Sequence, residues 1–421
     1  MTSRPVALVP DLAVPHRDHL LDPGEIARRL STRLGTDGSV HIRSCRLDSI
    51  CYQPAKRLRV LYQLEIDGRE LQVAASTFRS RSSSERAYGK ATETGQQSGP
   101  FRPVVYDADL DTVFWTFPND RKLVNLTDAV EAREGLTRLI DRCWARSQLV
   151  DYNPESTAVV RCLDDADRVV AYAKVHADDE GERTHRVHTA FSRLTRLSGP
   201  RIAQPLAYSK QYRTLLVEPI AGPSIGSLAG LGLATGLHAY GVALAMLHSL
   251  PFDGAGTVRR DPLERLRCRA EALCMVLPEV AGQVAELLAE LTVRWDEAAE
   301  SSVPIHGDAN ENNAILEDGH VALIDFDRAG IGAAGSDVGN FLSLLGYFRA
   351  LGVISPAAQR ARAAAFTRGY ASVRALPSRE ALRTHESAAL ADRACRAVIR
   401  LRGSVLPHVP ALLAEARGLL R

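Results

Sequence analysis

The chain has 421 residues, 45% of them apolar and 24% charged, with a formal net charge of +2. That length suits two or three domains. The charge is too small to mark a nucleic-acid binder, no apolar run reaches the roughly 18 residues of a membrane span, and the N-terminus lacks the continuous apolar stretch of a signal peptide. The expectation is a cytoplasmic protein with no nucleic-acid or membrane partner. Seven scattered cysteines without a CxxC pair indicate neither a zinc site nor a disulfide framework. Lysine is scarce: five of the 52 basic residues, at 56, 90, 122, 174 and 210, the rest being arginine. A lysine in such a chain is informative, because a site content with any positive charge would usually hold arginine.

The first half reads as two β-rich sets. Tyr52-Gln53-Pro54 precedes the strand-like Leu58–Ile66, a turn at Asp67-Gly68 and Glu70–Phe78. Tyr152-Asn153-Pro154 precedes Ala158–Leu163, a turn at Asp164–Asp167 and Val169–His176. Each set then has a polar helical stretch and a strand pair, and a shift of 102 superposes Pro103 on Pro205, Tyr106 on Tyr208 and Thr112 on Thr214. This predicts an internal duplication, although two unrelated meanders could share three identities.

Leu237–Leu250 has apolar residues at helical spacing and reads as a buried helix. Residues 262–299 read as one or two amphipathic helices with a break near Pro278. Then comes VPIHGDANENNAILEDGHVALIDFDRAG, 303–330. A polar loop, His306–Asn312, leads into Asn313–Leu316 and His320–Phe326, joined by the hairpin-turn signal Glu317-Asp318-Gly319. Helices are expected over Asp337–Ala350 and over 356–421, with breaks at Pro377 and Gly403.

The loop and hairpin hold the parts that phosphoryl transfer needs: a carboxylate to receive the acceptor proton, and oxygen ligands for Mg²⁺, which neutralises the phosphates. Asp308 sits on a tight loop, Asn313 at a strand start and Asp325 at a strand end. HGDANENN followed by IDFD resembles the HGDxxxxN…IDxD signature of the aminoglycoside phosphotransferase and choline kinase superfamily, relatives of the protein kinases. The resemblance extends to Leu244-Ala245-Met246-Leu247-His248 and to Gly335-Ser336-Asp337, spanning about 220 to 350.

The resemblance implies an α+β, protein-kinase-like bilobal fold, with a β-rich small lobe, a helical large lobe and an extra N-terminal β-rich cap. It makes Asp308 the catalytic base or the residue that orients the acceptor hydroxyl. His306 packs and hydrogen-bonds within the loop, Asn313 and Asp325 are Mg²⁺ ligands, and Asp337 braces the loop. Asp327 is either a further supporting carboxylate or a solvated charge. Lys174, on the strand Val169–Val175, resembles the lysine that reaches the nucleotide phosphates, with Glu182 as candidate partner on the next helix. Leu215–Pro219 resembles the hinge that binds adenine through its backbone, which marks Glu218, Pro219 and Ile220 by position. In the first β-rich set Ser76 stands where Lys174 stands in the second, so that copy could not clamp phosphates. It would be a degenerate lobe kept as a cap or as part of the acceptor site, or a plain structural domain.

The expected organisation is a cap over 1–148, a nucleotide-binding lobe over 149–222 and a catalytic lobe over 223–421. The expected reaction is Mg²⁺-dependent transfer from ATP or GTP to a hydroxyl of a sugar or aminoglycoside-like acceptor. The alternatives are a sugar kinase of primary metabolism resembling maltokinase, a nucleotide-binding pseudokinase, and a protein kinase, against which the short stretch between Asp325 and Asp337 speaks. Thirteen arginines against four acids over 349–421 favour a neutral or anionic acceptor over a polycation. Gly330–Gly335 fits GxGxxG but follows a hairpin late in the chain, so its glycines are read as a loop turning beneath the metal site. His185 and His188 have a metal-compatible spacing without an evident third ligand.

Overall fold

The computed structural model describes residues 8–97, 99–251, 261–298 and 300–421. It contains two five-stranded antiparallel sheets followed by a helical lobe. The first sheet comprises β1 (Ile42–Gln53), β2 (Arg57–Ile66), β3 (Arg69–Phe78), β4 (Val104–Asp107) and β5 (Thr112–Thr116), in the order β1-β2-β3-β5-β4. The second comprises β6 (Arg146–Asn153), β7 (Thr157–Leu163), β8 (Val169–His176), β10 (Pro205–Ser209) and β11 (Thr214–Val217), with β9 (Arg201–Ile202) outside it. Its order, β6-β7-β8-β11-β10, is the same path. Each sheet carries one helix, Arg81–Thr94 or Glu180–Ser198, between its third and fourth strands.

Register shows the two sheets to be copies. Tyr52 pairs with Leu58 and Tyr152 with Ala158; Thr77 pairs with Thr112 and Val175 with Thr214. The turns repeat too. Ala55 and Glu155 both take φ of 57°, an uncommon value for residues with a Cβ. An upstream aspartate clamps each turn. Asp11 Oδ2 accepts from Tyr52 OH at 2.6 Å and from the Ala55 N–H at 2.9 Å, and Asp120 Oδ2 accepts from Tyr152 OH at 2.9 Å and from the Glu155 N–H at 2.7 Å. The other oxygen of each accepts backbone N–H groups two and three residues on. The aspartate that clamps the second turn thus lies 35 residues before Glu155, ahead of the first strand of its sheet. The clamp is one carboxylate separated by tens of residues from the turn it holds, so no local pattern reveals it.

The two sheets share one core. Trp115 and Val113 of the first pack with Tyr152, Val160, Ala173 and Leu216 of the second, and Trp115 Nε1 donates to Tyr152 OH at 2.9 Å. The other face of the first sheet joins Leu263, Leu273, Leu287, Val398 and Leu412 of the C-terminal helices in another core.

The large lobe is built around the helix Gly230–His248, which is long and apolar enough by composition to cross a membrane. Here it lies in the core with Phe326, Phe341, Phe366 and Tyr370. Gly369 lets the helix Pro356–Ala371 cross it closely: a Cβ there would meet the carbonyl of His238 at 1.9 Å. Helix starts follow capping chemistry. Asp261, Ser355 and Ser378 accept N–H groups of the first turns of Pro262–Val276, Pro356–Ala371 and Arg379–Ile399, two of which have proline at the first position. The helix Ala281–Glu297 follows the break at Pro278, and Val409–Gly418 ends the chain.

The hairpin is β13 (Ala314–Glu317) and β14 (His320–Leu323), with φ of 49° at Asp318 and 81° at Gly319. Strand β9 extends it in parallel beside β14. Strand β12 (Val303–Ile305) pairs with β15 (Gly330–Gly332). The first glycines of the GxGxxG stretch thus form a strand, where a turning loop was expected: their N–H and C=O groups find the ladder that Val303–Ile305 offers.

Candidate active site

The loop His306–Asn313 sits between β12 and β13 and is fixed by Asp337, a buried residue in the first turn of the helix Ala334–Ala350. Asp337 accepts from the His306 N–H at 2.6 Å and the Gly307 N–H at 2.8 Å, and its Oδ2 lies 3.1 Å from His248 Nε2. Burial pushes its carboxyl up, but the hydrogen bond and charge of His248 outweigh this and hold it below the usual value. Gly307 takes φ of 76°, and a Cβ there would meet the Arg328 carbonyl at 2.0 Å, so this turn requires glycine.

His306 acts on the backbone. Its Nε2 lies 2.8 Å from the Ile324 carbonyl, its Nδ1 accepts the Asp308 N–H at 3.3 Å, and its ring packs on Phe326. That pattern fits a neutral imidazole donating from Nε2. The Asp308 carbonyl accepts from the side-chain amides of Asn310 at 2.9 Å and Asn313 at 3.1 Å. Both contacts fix the peptide and leave the half-buried Asp308 carboxylate without a hydrogen bond or ion pair among the described residues. With its nitrogen committed to Asp308, Asn313 keeps its amide oxygen for another partner.

Asp325 follows β14 in a left-handed conformation, φ 63° and ψ 67°. Such a conformation is uncommon away from glycine and is found at functional sites. Lys174 reaches across from β8, donating to Asp325 Oδ1 at 2.9 Å and to Asp327 Oδ2. Burial would lower the lysine pKa, but the two carboxylates raise it. Burial pushes both carboxyls up; Lys174 brings Asp325 below its ordinary value, while Asp327, facing Asp325 as well, stays above its own. Asp327, one of two readings left open by sequence, is thus an ion-pair partner of Lys174. Asn313 and Asp325 offer hard oxygen donors that suit Mg²⁺ completed by phosphate and water.

Glu182 is not brought to Lys174. It lies in the first turn of Glu180–Ser198, 40% exposed, with its carboxylate 3.3 Å from Lys210 on the β10–β11 turn. The inward positions of that helix are Thr184, Val187, His188 and Phe191. His188 stacks on Phe326 with Nε2 2.6 Å from the Ala203 carbonyl, while His185 stacks on Tyr208, so the two histidines serve different neighbours. Glu218-Pro219-Ile220 follows β11. The Glu218 N–H donates to the Gln204 carbonyl at 2.9 Å, and its carboxylate pairs with Arg201 at 2.8 Å.

A cleft of about 740 Å³ opens beside this centre, lined by the β6–β7 turn, His176, Gly307, Asp327, Arg328 and Asp392. The first sheet and the segment after it hold the turn that roofs it: from β2, Arg57 donates to Glu155 at 2.9 Å and Arg59 to the Pro154 carbonyl, and Arg121, beyond β5, donates to Glu155 at 2.5 Å. Sequence reasoning missed these arginines and His176. His176 is buried, lines the cleft, and has neither ring nitrogen hydrogen-bonded; burial lowers it to about 4.

This arrangement joins a lysine from a β-sheet to a carboxylate hairpin of a helical lobe. A family model described as the phosphotransferase enzyme family matches residues 154–376. The chain belongs to the phosphotransferase enzyme family. The match takes in four of the five strands of the second sheet and most of the helical lobe, and β6 and the first sheet lie outside it. Among solved structures, aminoglycoside phosphotransferase APH(4)-Ia is similar with a TM-score of 0.51 and 14% identity over 70% of this chain and 98% of that one. A thermostable mutant of that protein, in ternary complex with ADP and hygromycin B, gives 0.52 and 14% over 69% and 98%. At such identity the likeness carries the fold alone. No curated protein matches the chain.

Proposed function

We propose that the chain is a small-molecule kinase that moves the terminal phosphoryl group of ATP or GTP to a hydroxyl of a sugar or another small alcohol. The observation that carries this reading is the Asp308 carboxylate, left without a hydrogen bond or ion pair among the described residues, on a loop whose backbone is tied down at His306, Gly307 and Asp308. A group held in place and free at its tip suits proton acceptance. In the reaction the acceptor oxygen bonds to the γ-phosphorus as the bond to the β-phosphate oxygen breaks. The leaving electron pair goes to the nucleoside diphosphate, and the acceptor proton goes to Asp308. Asn313 and Asp325 would hold Mg²⁺, which supplies charge neutralisation. Lys174, released from part of its contact with Asp325 and Asp327, would reach the phosphates. The backbone of Glu218 to Ile220 would receive the base.

Turnover is measured with ATP, then GTP, over aminoglycosides, neutral sugars, sugar phosphates and nucleosides. Asp308→Ala should abolish transfer, by about 10³-fold or more, with Mg-nucleotide binding kept. Loss of nucleotide binding alone would contradict the role given to Asp308.

A further inference from the structure

A second cavity, of about 630 Å³, lies between β1, the end of β6, the helix Ala334–Ala350 and the helix Arg379–Ile399. Four arginines line it: Arg393, Arg396, Arg400 and Arg402. Two acids, Asp48 and Asp151, line it as well, so its charge is positive on balance. Arg393, Arg396 and Arg400 are half-buried, and none has a carboxylate within ion-pair distance among the described residues. Asp392, the neighbouring acid on the same helix, is taken by Arg269 at 2.5 Å. Burial lowers Arg393 to about 10 and lowers Arg396 as well. Guanidinium groups withdrawn from water without a counter-ion are costly, and an anion that fits among them recovers that cost.

Hydrogen bonds link the cavity wall to the loop of the reacting centre. Arg393 Nη2 donates to the Asn340 carbonyl at 2.9 Å and to its Oδ1 at 3.0 Å, and Asn340 Nδ2 donates to the carbonyl of Ala309, next to Asp308, at 2.8 Å. The Asp308 carboxylate acts electrostatically on Arg393, Arg396 and Arg265. On the cleft side, several of the acids are engaged within the protein, while Glu264 has no ion pair among the described residues. Glu155 pairs with Arg57 and Arg121, Asp327 with Lys174, Asp392 with Arg269 and Glu180 with Arg183, and Asp261 caps a helix.

We propose that the arginine-lined cavity is the subsite for an anionic group, a phosphate or carboxylate, carried by the acceptor whose hydroxyl meets Asp308. The proposal rests on the kinase reading and deepens it. Arg396 and Arg400 contact the oxyanion, and Arg393, fixed by Asn340 and Ser343, positions it. The first sheet then has a part in substrate binding: Leu47–Ile50 of β1 form one wall, and the Ile50 carbonyl accepts from Arg400 at 3.4 Å.

The test uses the full chain saturated with Mg-ADP, so that the nucleotide site is filled. Inorganic phosphate and, separately, acetate are titrated at constant ionic strength in chloride while Tm is followed. A saturable rise with phosphate or acetate is expected, and whichever acts at lower concentration identifies the anion. Arg396→Ala and Arg400→Gln should each weaken that effect at least tenfold, with Arg396→Lys intermediate and the Mg-ADP shift unchanged in all. No saturable anion effect, or one of equal strength in both Arg396→Ala and Arg400→Gln, overturns the subsite. Turnover confined to uncharged or cationic acceptors overturns its assignment to the acceptor. Absence of the Mg-ADP shift itself would instead count against the kinase reading.

Discussion

Lys174 Nζ stands 2.9 Å from Asp325 Oδ1, joining residues 151 positions apart in two different lobes. The contact sets the sheet over the hairpin and brings the one β8 lysine to the carboxylate expected to bind Mg²⁺. Lys174→Ala should lower turnover by about 10²-fold or more and raise the KM for nucleotide, because a charge aimed at the phosphates is lost in a partly dehydrated site. Glu182→Ala should change kcat/KM less than about twofold, since Glu182 meets an exposed lysine and such pairs contribute little. Steady-state kinetics on both variants checks the pair; equal losses would return Glu182 to the site.

Asp337→Ala should destabilise the large lobe by about 3–5 kcal/mol, because it strands the buried His306 N–H, the half-buried Gly307 N–H and His248. Calorimetry should show a fall in Tm of roughly 10 °C. The pH dependence has a definite sign. The folded Asp337 carboxyl titrates below its unfolded value of 3.8. Its contribution is therefore complete above that value and disappears as pH falls through the folded one. The difference in stability between the protein and Asp337→Ala should shrink in that acid window.

Glu386, on the helix Arg379–Ile399, is raised from 4.5 to about 7, chiefly by burial and then by Glu415. Here the sign is opposite. Between pH 4.5 and 7 the folded state binds more protons than the unfolded chain, so this group weakens the fold as pH rises. Glu386→Gln should raise Tm by about a few degrees at pH 8 and by almost nothing at pH 4.5. Thermal melts across that range read the difference directly; a gain independent of pH would contradict the account.

His176→Phe installs the residue that the first copy carries at the matching place, Phe78. The fold should tolerate it, and Tm should hold or rise because two buried nitrogens without partners are removed. A loss of about tenfold in kcat/KM is expected if those nitrogens serve ligand in the cleft. With its value near 4, His176 stays neutral from pH 5 to 9 and should contribute no inflection to the pH–rate profile there. An unchanged kcat/KM would make His176 a packing residue.

The parts of the site that lie close together in sequence were legible there. Asp308, Asn313 and Asp325 fall within eighteen positions on one loop and hairpin, where turn chemistry and strand alternation set the geometry locally. The repeat was legible as well: the alignment that opposes Ser76 to Lys174 is the one that strand register gives, Ser76 facing Val113 and Lys174 facing Leu215.

What only tertiary structure decided are the contacts made between elements. The partner of Lys174 turned out to be Asp327 together with Asp325, and Glu182 turned away, because the rotation of a helix about its axis is set by which face packs and not by which charges it carries. The clamp of Asp120 on Tyr152 and the hold of Arg57 and Arg121 on Glu155 join residues tens of positions apart. The excess of arginine in the last seventy residues was visible as composition, which cannot tell solvated helix faces from a lined cavity. Arg417 meets Glu290 at the surface, whereas Arg393 and Arg396 line a cavity between helices and the first sheet. Sequence by itself determined the loop and hairpin that carry the candidate residues, because turn and strand signals are local; the fold decided which distant charges surround them, because burial and pairing are properties of packed elements.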